Sequence, residues 1–495
     1  MAAQKLRILV TASEVEPFAK TGGLADVAGA LPRALQALGH DVRVLMPGYR
    51  GVERHAVDLT TAVPALQVPI ADRVAEGALR RGRSPEGIPV YFLANDQYYD
   101  RENLYGTGDG DYWDNCERFI FFCRGGLEAV AALADGPDPW SPQIIHANDW
   151  QTALMPVYLR TLYRDRPALR GIRTLFTIHN LAFQGVFWHY DMPLTGLGWD
   201  LFTPAGIEFY GKLNFLKGGL IFGDILTTVS RTYALEIRTA EFGAGLEGVL
   251  EERSQDLHGV VNGIDYHVWN PATDGAIAKP YSVDAPEGKA ACREALRREL
   301  GLGLGPGPLV GMVTRLTPQK GIDLVVDALP DLLAQGCQLA VLGSGQSQFE
   351  ERLGAEAAAR PEQIAVRIGY DEDLARRIYA GSDCFLMPSR YEPCGLGQLI
   401  ALRYGSAPIV RRTGGLADTV KEFDPARRTG TGFTFDAYSP VALAEAVRRA
   451  ASAHGHPAVW SALVRNAMAE DFSWNASARE YVTLYRKAVR ARAAR

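Results

Sequence analysis

Three loops carry the residues best suited to chemistry. The first, Lys20-Thr-Gly-Gly-Leu-Ala-Asp26, sets a cation ahead of a glycine pair that opens a helix whose apolar face runs through Val27, Ala30, Leu31, Leu35 and Leu38. Lacking Cβ atoms, Gly22 and Gly23 let backbone amides approach an anion, and the helix start adds partial positive charge to the full charge of Lys20. The pattern is neither a Walker A loop nor a dinucleotide fingerprint, and a plain tight turn would also account for the glycines. The second loop, Arg315-Leu-Thr-Pro-Gln-Lys320-Gly, puts a guanidinium and an ammonium side by side. Together they can neutralise a departing diphosphate without a metal ion, although a solvated basic loop would look the same. The third, Pro388-Ser-Arg-Tyr-Glu392-Pro-Cys-Gly-Leu-Gly397, combines a carboxylate, a proline and two glycines. It can present Glu392 to a hydroxyl while Gly395 and Leu396 offer amides to a phosphate at the next helix start. Glu392 could instead cap that helix, and Cys394 reads as a small core residue.

Two histidines, His146 in His-Ala-Asn-Asp149-Trp150 and His179 in Phe-Thr-Ile-His-Asn180, each end an apolar run, where a polar side chain can reach a ligand or satisfy a structural need. Asp149 beside Trp150 joins a carboxylate to an aromatic face, a pairing suited to carbohydrate. Asp109-Gly-Asp111 could hold Mg²⁺ or Mn²⁺, but its glycine- and tyrosine-rich surroundings read more simply as an acidic loop.

Short β-rich runs alternating with helical stretches must position these residues, which makes the chain an α/β protein with parallel sheets covered on both faces. Strands are expected at 6–11, 42–46, 90–93, 143–146, 174–178 and 225–229 in the first half, then at 309–313, 338–342, 366–368, 384–387 and 407–410. Several are continuous apolar runs, as strands buried on both faces should be. Ligands of such sheets bind beyond the carboxyl ends of the strands, where the three loops and both histidines fall. The Gly- and Pro-dense stretch 301–308 cannot be regular structure, so a second sheet starts at Leu309. The chain divides into a first Rossmann-like domain, 1–258, and a second, 259–475, with a terminal helix over 476–495 returning to the first. The hexapeptide Thr-Gly-Gly-Leu-Ala-Asp occurs at both 21–26 and 413–418.

At 495 residues with net charge -5 the chain can bury large cores, and its slight acidity argues against a nucleic-acid partner. Six scattered cysteines form no C-x-x-C pair, and neither a signal-peptide core nor a membrane-spanning run is apparent. These features suit reduced thiols and a cytoplasmic protein without a membrane partner.

Together the motifs carry a resemblance. Lys20-Thr-Gly-Gly-Leu-Ala-Asp-Val27, His179-Asn180, Val261-Asn262-Gly-Ile-Asp265, Arg315 with Lys320-Gly321, Ser389-Arg-Tyr-Glu-Pro-Cys-Gly-Leu396, Arg411-Arg-Thr-Gly-Gly-Leu-Ala-Asp-Thr419 and Asp471-Phe-Ser-Trp474 are similar to the bacterial glycogen synthase and plant starch synthase family over nearly the whole length. The resemblance implies a GT-B fold of two Rossmann-like domains facing across a cleft. It further implies transfer of glucose from ADP-glucose to the non-reducing 4-hydroxyl of an α-1,4-glucan such as glycogen, with retention and with neither cofactor nor metal. Carried over position by position, Lys20 binds the sugar nucleotide, Arg315 and Lys320 bind its phosphates, His179 a glucose hydroxyl and Glu392 the donor glucose. Tyr105, Asp149 and Asn262 line the site, Asp26 supports it, and Gly395 and Leu396 offer amides to the diphosphate. Two departures stand out. Asn148-Asp149-Trp150-Gln151 replaces the family's usual His-Asp-Trp-His, and Ile400 stands where many retaining GT-B enzymes carry a second glutamate.

Overall fold

The computed structural model describes residues 4–305 and 307–490, and it divides into two units, each built on its own sheet. One unit contains the chain up to Val229, Ala234–Val260 and the segment from Trp474; the other contains Ser230–Tyr233 and Val261–Ser473. Ser230–Tyr233 belongs to the second unit because the Asp418 carboxylate accepts from the amides of Arg231 and Thr232 at 2.6 and 3.0 Å and from the Thr232 hydroxyl at 2.6 Å. A partner so distant in the chain leaves no local signal, and a sequence boundary placed after 258 does not register it.

The first unit's sheet has nine strands in the order Leu257–Gly259, Ile225–Thr228, Arg173–Ile178, Ile144–Asn148, Arg7–Thr11, Asp41–Pro47, Pro89–Ala94, Arg73–Arg83, Val57–Ile70. Its central runs are buried along almost their whole length, which is why their sequences are continuously apolar. The last two strands depart from the all-parallel expectation: Val57–Ile70 pairs antiparallel with Arg73–Arg83, and that strand pairs antiparallel with Pro89–Ala94. This hairpin is largely exposed, interrupted by register shifts and crossed by Pro64 and Pro69, so its sequence lacks the apolar run that marks the inner strands.

The second unit's sheet is parallel throughout, in the order Ile364–Ile368, Gln338–Gly343, Leu309–Val313, Cys384–Met387, Ala407–Arg411, Phe433–Phe435. Helix Ile322–Ala334 covers it with Ile322, Val325, Val326 and Leu329, spaced three or four apart and packed on Val310, Leu339 and Leu386 in one core.

Helix Gly23–Ala37 is continuous across Pro32. The final helix, Trp474–Arg490, buries Trp474, Ala478, Tyr481, Val482, Tyr485 and Ala488 at helical spacing; residues 491–495 of the predicted 476–495 helix lie outside the described residues. Its anchor in the first unit is His146, whose Nδ1 lies 2.7 Å from the Tyr485 hydroxyl and whose Nε2 lies 2.7 Å from the Thr177 hydroxyl. His146 is fully buried, and that burial pushes its pKa down to about 3. It is a neutral core residue, not a ligand of any substrate. All six cysteines are buried free thiols, and no helix among the described residues is long and apolar enough to cross a membrane.

Tyr485→Phe leaves one nitrogen of a buried imidazole without its partner. We expect a loss of about 1–3 kcal/mol in urea unfolding with the fold unchanged; an unaltered midpoint would mean the hydroxyl does not anchor the helix.

Candidate active site

In the first sheet the chain changes direction of winding between Arg7–Thr11 and Ile144–Asn148, which pair with Val10 opposite His146 and Thr11 opposite Ala147. Loops leaving neighbouring strands at such a point diverge and expose side chains and backbone groups beyond the sheet. Glu14 organises the first of these loops. Its buried carboxylate accepts from the Thr21 amide at 2.5 Å, the Gly22 amide at 3.1 Å, and the Thr21 and Tyr105 hydroxyls at 2.7 Å each. Ser13 meets the same Tyr105 hydroxyl at 2.8 Å. The Gly22 amide therefore serves an internal carboxylate, not an outside anion as the glycine pair suggested, and Gly23 simply begins the helix. Sequence reasoning passed over Glu14, although an acidic residue just beyond a buried strand was the available signal. Lys20 meets Asp26 at 2.8 Å and Glu16 at 3.5 Å.

Asp149, Asn148 and His179 lie together at the ends of two paired strands, with Asn148 opposite Thr177. Asp149 holds φ 57° and ψ −179°, a conformation that L-residues other than glycine rarely adopt. Its amide donates to the Thr177 carbonyl at 2.9 Å, and its Oδ1 accepts from the His179 amide at 2.7 Å. Burial outweighs these donors and raises the Asp149 pKa to about 7. The His179 ring meets Asn148 Oδ1 at 2.9 Å through Nε2, and burial lowers its pKa to about 3. The imidazole is thus neutral at physiological pH. Trp150 packs against Phe119 and Phe187, with ring centroids 4.8 and 5.6 Å away. Gln151 is buried, and its Oε1 has no hydrogen-bond partner among the described residues.

The second sheet reverses between Leu309–Val313 and Cys384–Met387, joined at Val310–Cys384 and Gly311–Phe385. The loops that follow these two strands are the basic and acidic loops of the sequence, and the sheet brings them into contact. Lys320 Nζ lies 2.5 Å from Glu392 Oε2, which also accepts from the Ser389 hydroxyl at 3.1 Å. Gly321 makes that approach possible: at φ 72°, a Cβ there would sit 2.2 Å from the Pro388 carbonyl oxygen. The Arg390 amide donates to the Gln319 carbonyl at 2.8 Å, closing the two loops together. Arg315 is exposed, with a guanidinium bond to Gln319 at 3.4 Å. Glu392 is no helix cap; it is a buried carboxylate paired with an ammonium.

The repeated hexapeptide buttresses this loop. The Gly415 amide donates to the carbonyls of Glu392 and Pro393 at 3.1 Å each, and a Cβ at Gly415 would sit 2.0 Å from the Cys394 oxygen. Gly395 takes φ 75° and Leu396 immediately precedes helix Gly397–Arg403. Asn262 is buried, and its Oδ1 has no hydrogen-bond partner among the described residues. Burial raises the Cys394 thiol to about 12, unsuited to a nucleophile. Ile400 lies in the apolar core with Phe385 and Leu399. Asp109 and Asp111 are exposed, and no His, Cys, Asp or Glu group among the described residues is arranged to hold a metal ion.

Two family models match the chain: "Starch synthase catalytic domain" over residues 7–252 and "Glycosyl transferases group 1" over 294–466. A glycogen synthase of Syntrophotalea carbinolica is 52% identical over 487 residues, covering 98% of this chain and 99% of that protein. The chain belongs to the glycogen synthase family. A second member, from Geotalea daltonii, is 49% identical across 97% of this chain and 98% of its own length. Among solved structures, the catalytic domain of starch synthase IV from Arabidopsis thaliana, bound to ADP and acarbose, superposes with a TM-score of 0.87 at 36% identity, covering 98% of this chain and 100% of that one. The two units are the Rossmann-like halves of a GT-B glycosyltransferase, and this glycogen synthase family member is a glucosyltransferase of glycogen synthesis.

The pKa of Asp149 is testable apart from activity. Because it is raised on folding, the associated stability is complete below the ordinary carboxylate value of about 4 and is lost as pH rises through 7. Asp149→Asn should remove that loss, so the difference between wild-type and variant unfolding midpoints should change across about pH 4 to 7 and level off above it. A pH-independent difference would contradict the raised value.

Proposed function

We propose that this enzyme transfers glucose from ADP-glucose to the non-reducing 4-hydroxyl of an α-1,4-glucan, with retention and without a metal ion. The observation that carries the reading is the pairing of Lys320 with Glu392 at the strand reversal of the second sheet. Breaking the bond between glucose and diphosphate develops positive charge at the anomeric carbon and negative charge on phosphate oxygens. Lys320 and Arg315 answer the second need, and fixed cations of this kind stabilise developing charge without reorganisation. An incoming diphosphate draws Lys320 away from Glu392, whose released carboxylate then accepts from hydroxyls of the donor glucose. Gly395 and Leu396 add amides to the diphosphate, and Asn262 Oδ1 is an acceptor in need of a donor.

From the first unit, Lys20 attends the sugar nucleotide, with Asp26 holding its ammonium. His179 takes a glucose hydroxyl, and Asp149 and Tyr105 line the site, Tyr105 by fixing Glu14 and so the loop that bears Lys20. A neutral His179 adds no charge against the cationic anomeric carbon. Retention follows from attack on the same face as departure, the leaving phosphate taking the acceptor's proton. A glucosyl group trapped on Glu392 would contradict that route. The ADP and acarbose bound by the Arabidopsis enzyme support a nucleotide donor and a glucan acceptor. The six reduced thiols support a cytoplasmic setting.

Labelled glucose should enter glycogen from ADP-glucose in the presence of EDTA, with UDP-glucose a poorer donor. Incorporation abolished by EDTA, or faster from UDP-glucose, would reject the reading. Lys320→Ala should keep the fold and lower kcat by about 10²–10³-fold; wild-type turnover would remove Lys320 from the mechanism.

A further inference from the structure

Asn148 is the residue whose contacts go beyond lining the site. Its Nδ2 donates to two backbone carbonyls, Thr11 at 3.1 Å and His146 at 3.2 Å, while its Oδ1 faces His179 Nε2 at 2.9 Å. An asparagine amide has two donors on nitrogen and only acceptor sites on oxygen. Both N–H groups are used by carbonyls that can only accept, so the amide cannot be flipped without setting its oxygen against two other oxygens. Oδ1 must therefore point at His179, and His179 Nε2 must carry the proton. The side chain is buried, the Asn148 carbonyl is held by the Thr152 hydroxyl at 2.9 Å, and the strand pairs on both sides, leaving no room for another orientation.

We propose that Asn148 is a positioning residue that fixes His179 as its Nε2–H tautomer, so that Nδ1 presents a lone pair and accepts from a substrate hydroxyl. The ring's neutrality, a consequence of burial, agrees with this assignment. Which nitrogen of a histidine bears the proton is decided by the bond the other makes, and an imidazole held in the wrong tautomer offers a donor where an acceptor is needed. The hydroxyl partner rests on the proposed glucosyl transfer; the tautomer does not.

The test uses the full chain labelled with ¹⁵N-histidine, the His179 signals being those lost in His179→Gln. In the wild type Nε2 should be protonated and Nδ1 unprotonated throughout the neutral pH range. Asn148→Leu, matched in size but without polar atoms, should expose His179 to tautomer exchange and move both shifts. It should lower kcat by about 10- to 100-fold, as loss of a histidine's supporting partner does, with ADP affinity retained. Should that variant not fold, Asn148→Ala leaves space for water against the Thr11 and His146 carbonyls and carries the same expectation. A protonated Nδ1 in the wild type, a loss of turnover with unmoved His179 shifts, or moved shifts with wild-type turnover would each overturn the proposal. Failure of the wild type to use ADP-glucose would sink the functional reading while leaving the nitrogen shifts, and hence the tautomer, standing.

Discussion

A reversal of strand order within a parallel sheet is the constraint on which the rest of this molecule depends. Where two adjacent strands send their chains in opposite directions, nothing regular covers their carboxyl ends, and polar groups there keep access to a ligand. Each sheet has one such place, between Arg7–Thr11 and Ile144–Asn148 in the first and between Leu309–Val313 and Cys384–Met387 in the second. Glu14, Asn148 and Asp149 follow from the one; Lys320 and Glu392 follow from the other. The pairings that create these places are ordinary buried-strand pairings between apolar runs, so the core and the chemistry are specified by the same contacts.

Charge is handled differently in the two units. Glu392 is buried but compensated by an ammonium and a hydroxyl, partners that offset the cost of taking a carboxylate out of water. Asp149 has only backbone amides against its desolvation, so its pKa rises to about 7, and it is held in a conformation unfavourable to any residue with a Cβ. Strained backbone combined with a shifted carboxyl is uncommon in purely structural positions and clusters at functional ones. His179 and His146 are neutral for the same physical reason, burial, yet they differ in purpose: one ends its strand beside Asp149, while the other is locked to Tyr485 and Thr177 inside the core.

Backbone compactness completes the second loop pair. The Lys320–Glu392 contact requires Gly321 against the Pro388 carbonyl and the Gly414–Gly415 pair against Glu392 and Cys394, places where a Cβ would overlap carbonyl oxygen. The same hexapeptide therefore does two jobs. At 21–26 its amides answer Glu14, whereas at 413–418 they answer the Glu392 loop and its aspartate reaches Arg231 and Thr232. Short identical segments acquire different roles from what the sheet places beside them.

Much of this was legible in the chain itself. Continuous apolar runs disclosed the inner strands because both of their faces are buried, and the loops with chemistry followed from where those runs end. The Lys20, Arg315–Lys320 and Glu392 motifs, and through them the family, were readable because they are local. What escaped were the exposed antiparallel hairpin 57–83, which buries too little to leave an apolar run, and interactions between residues far apart in sequence: Tyr105 with Glu14, His146 with Tyr485, and Asp418 with Arg231. Composition and spacing determined which side chains exist and which strands bear them. Only tertiary structure decided which amide, carbonyl or carboxylate each one meets, because those partners are supplied by neighbouring strands whose pairing is set by the packing of the whole sheet.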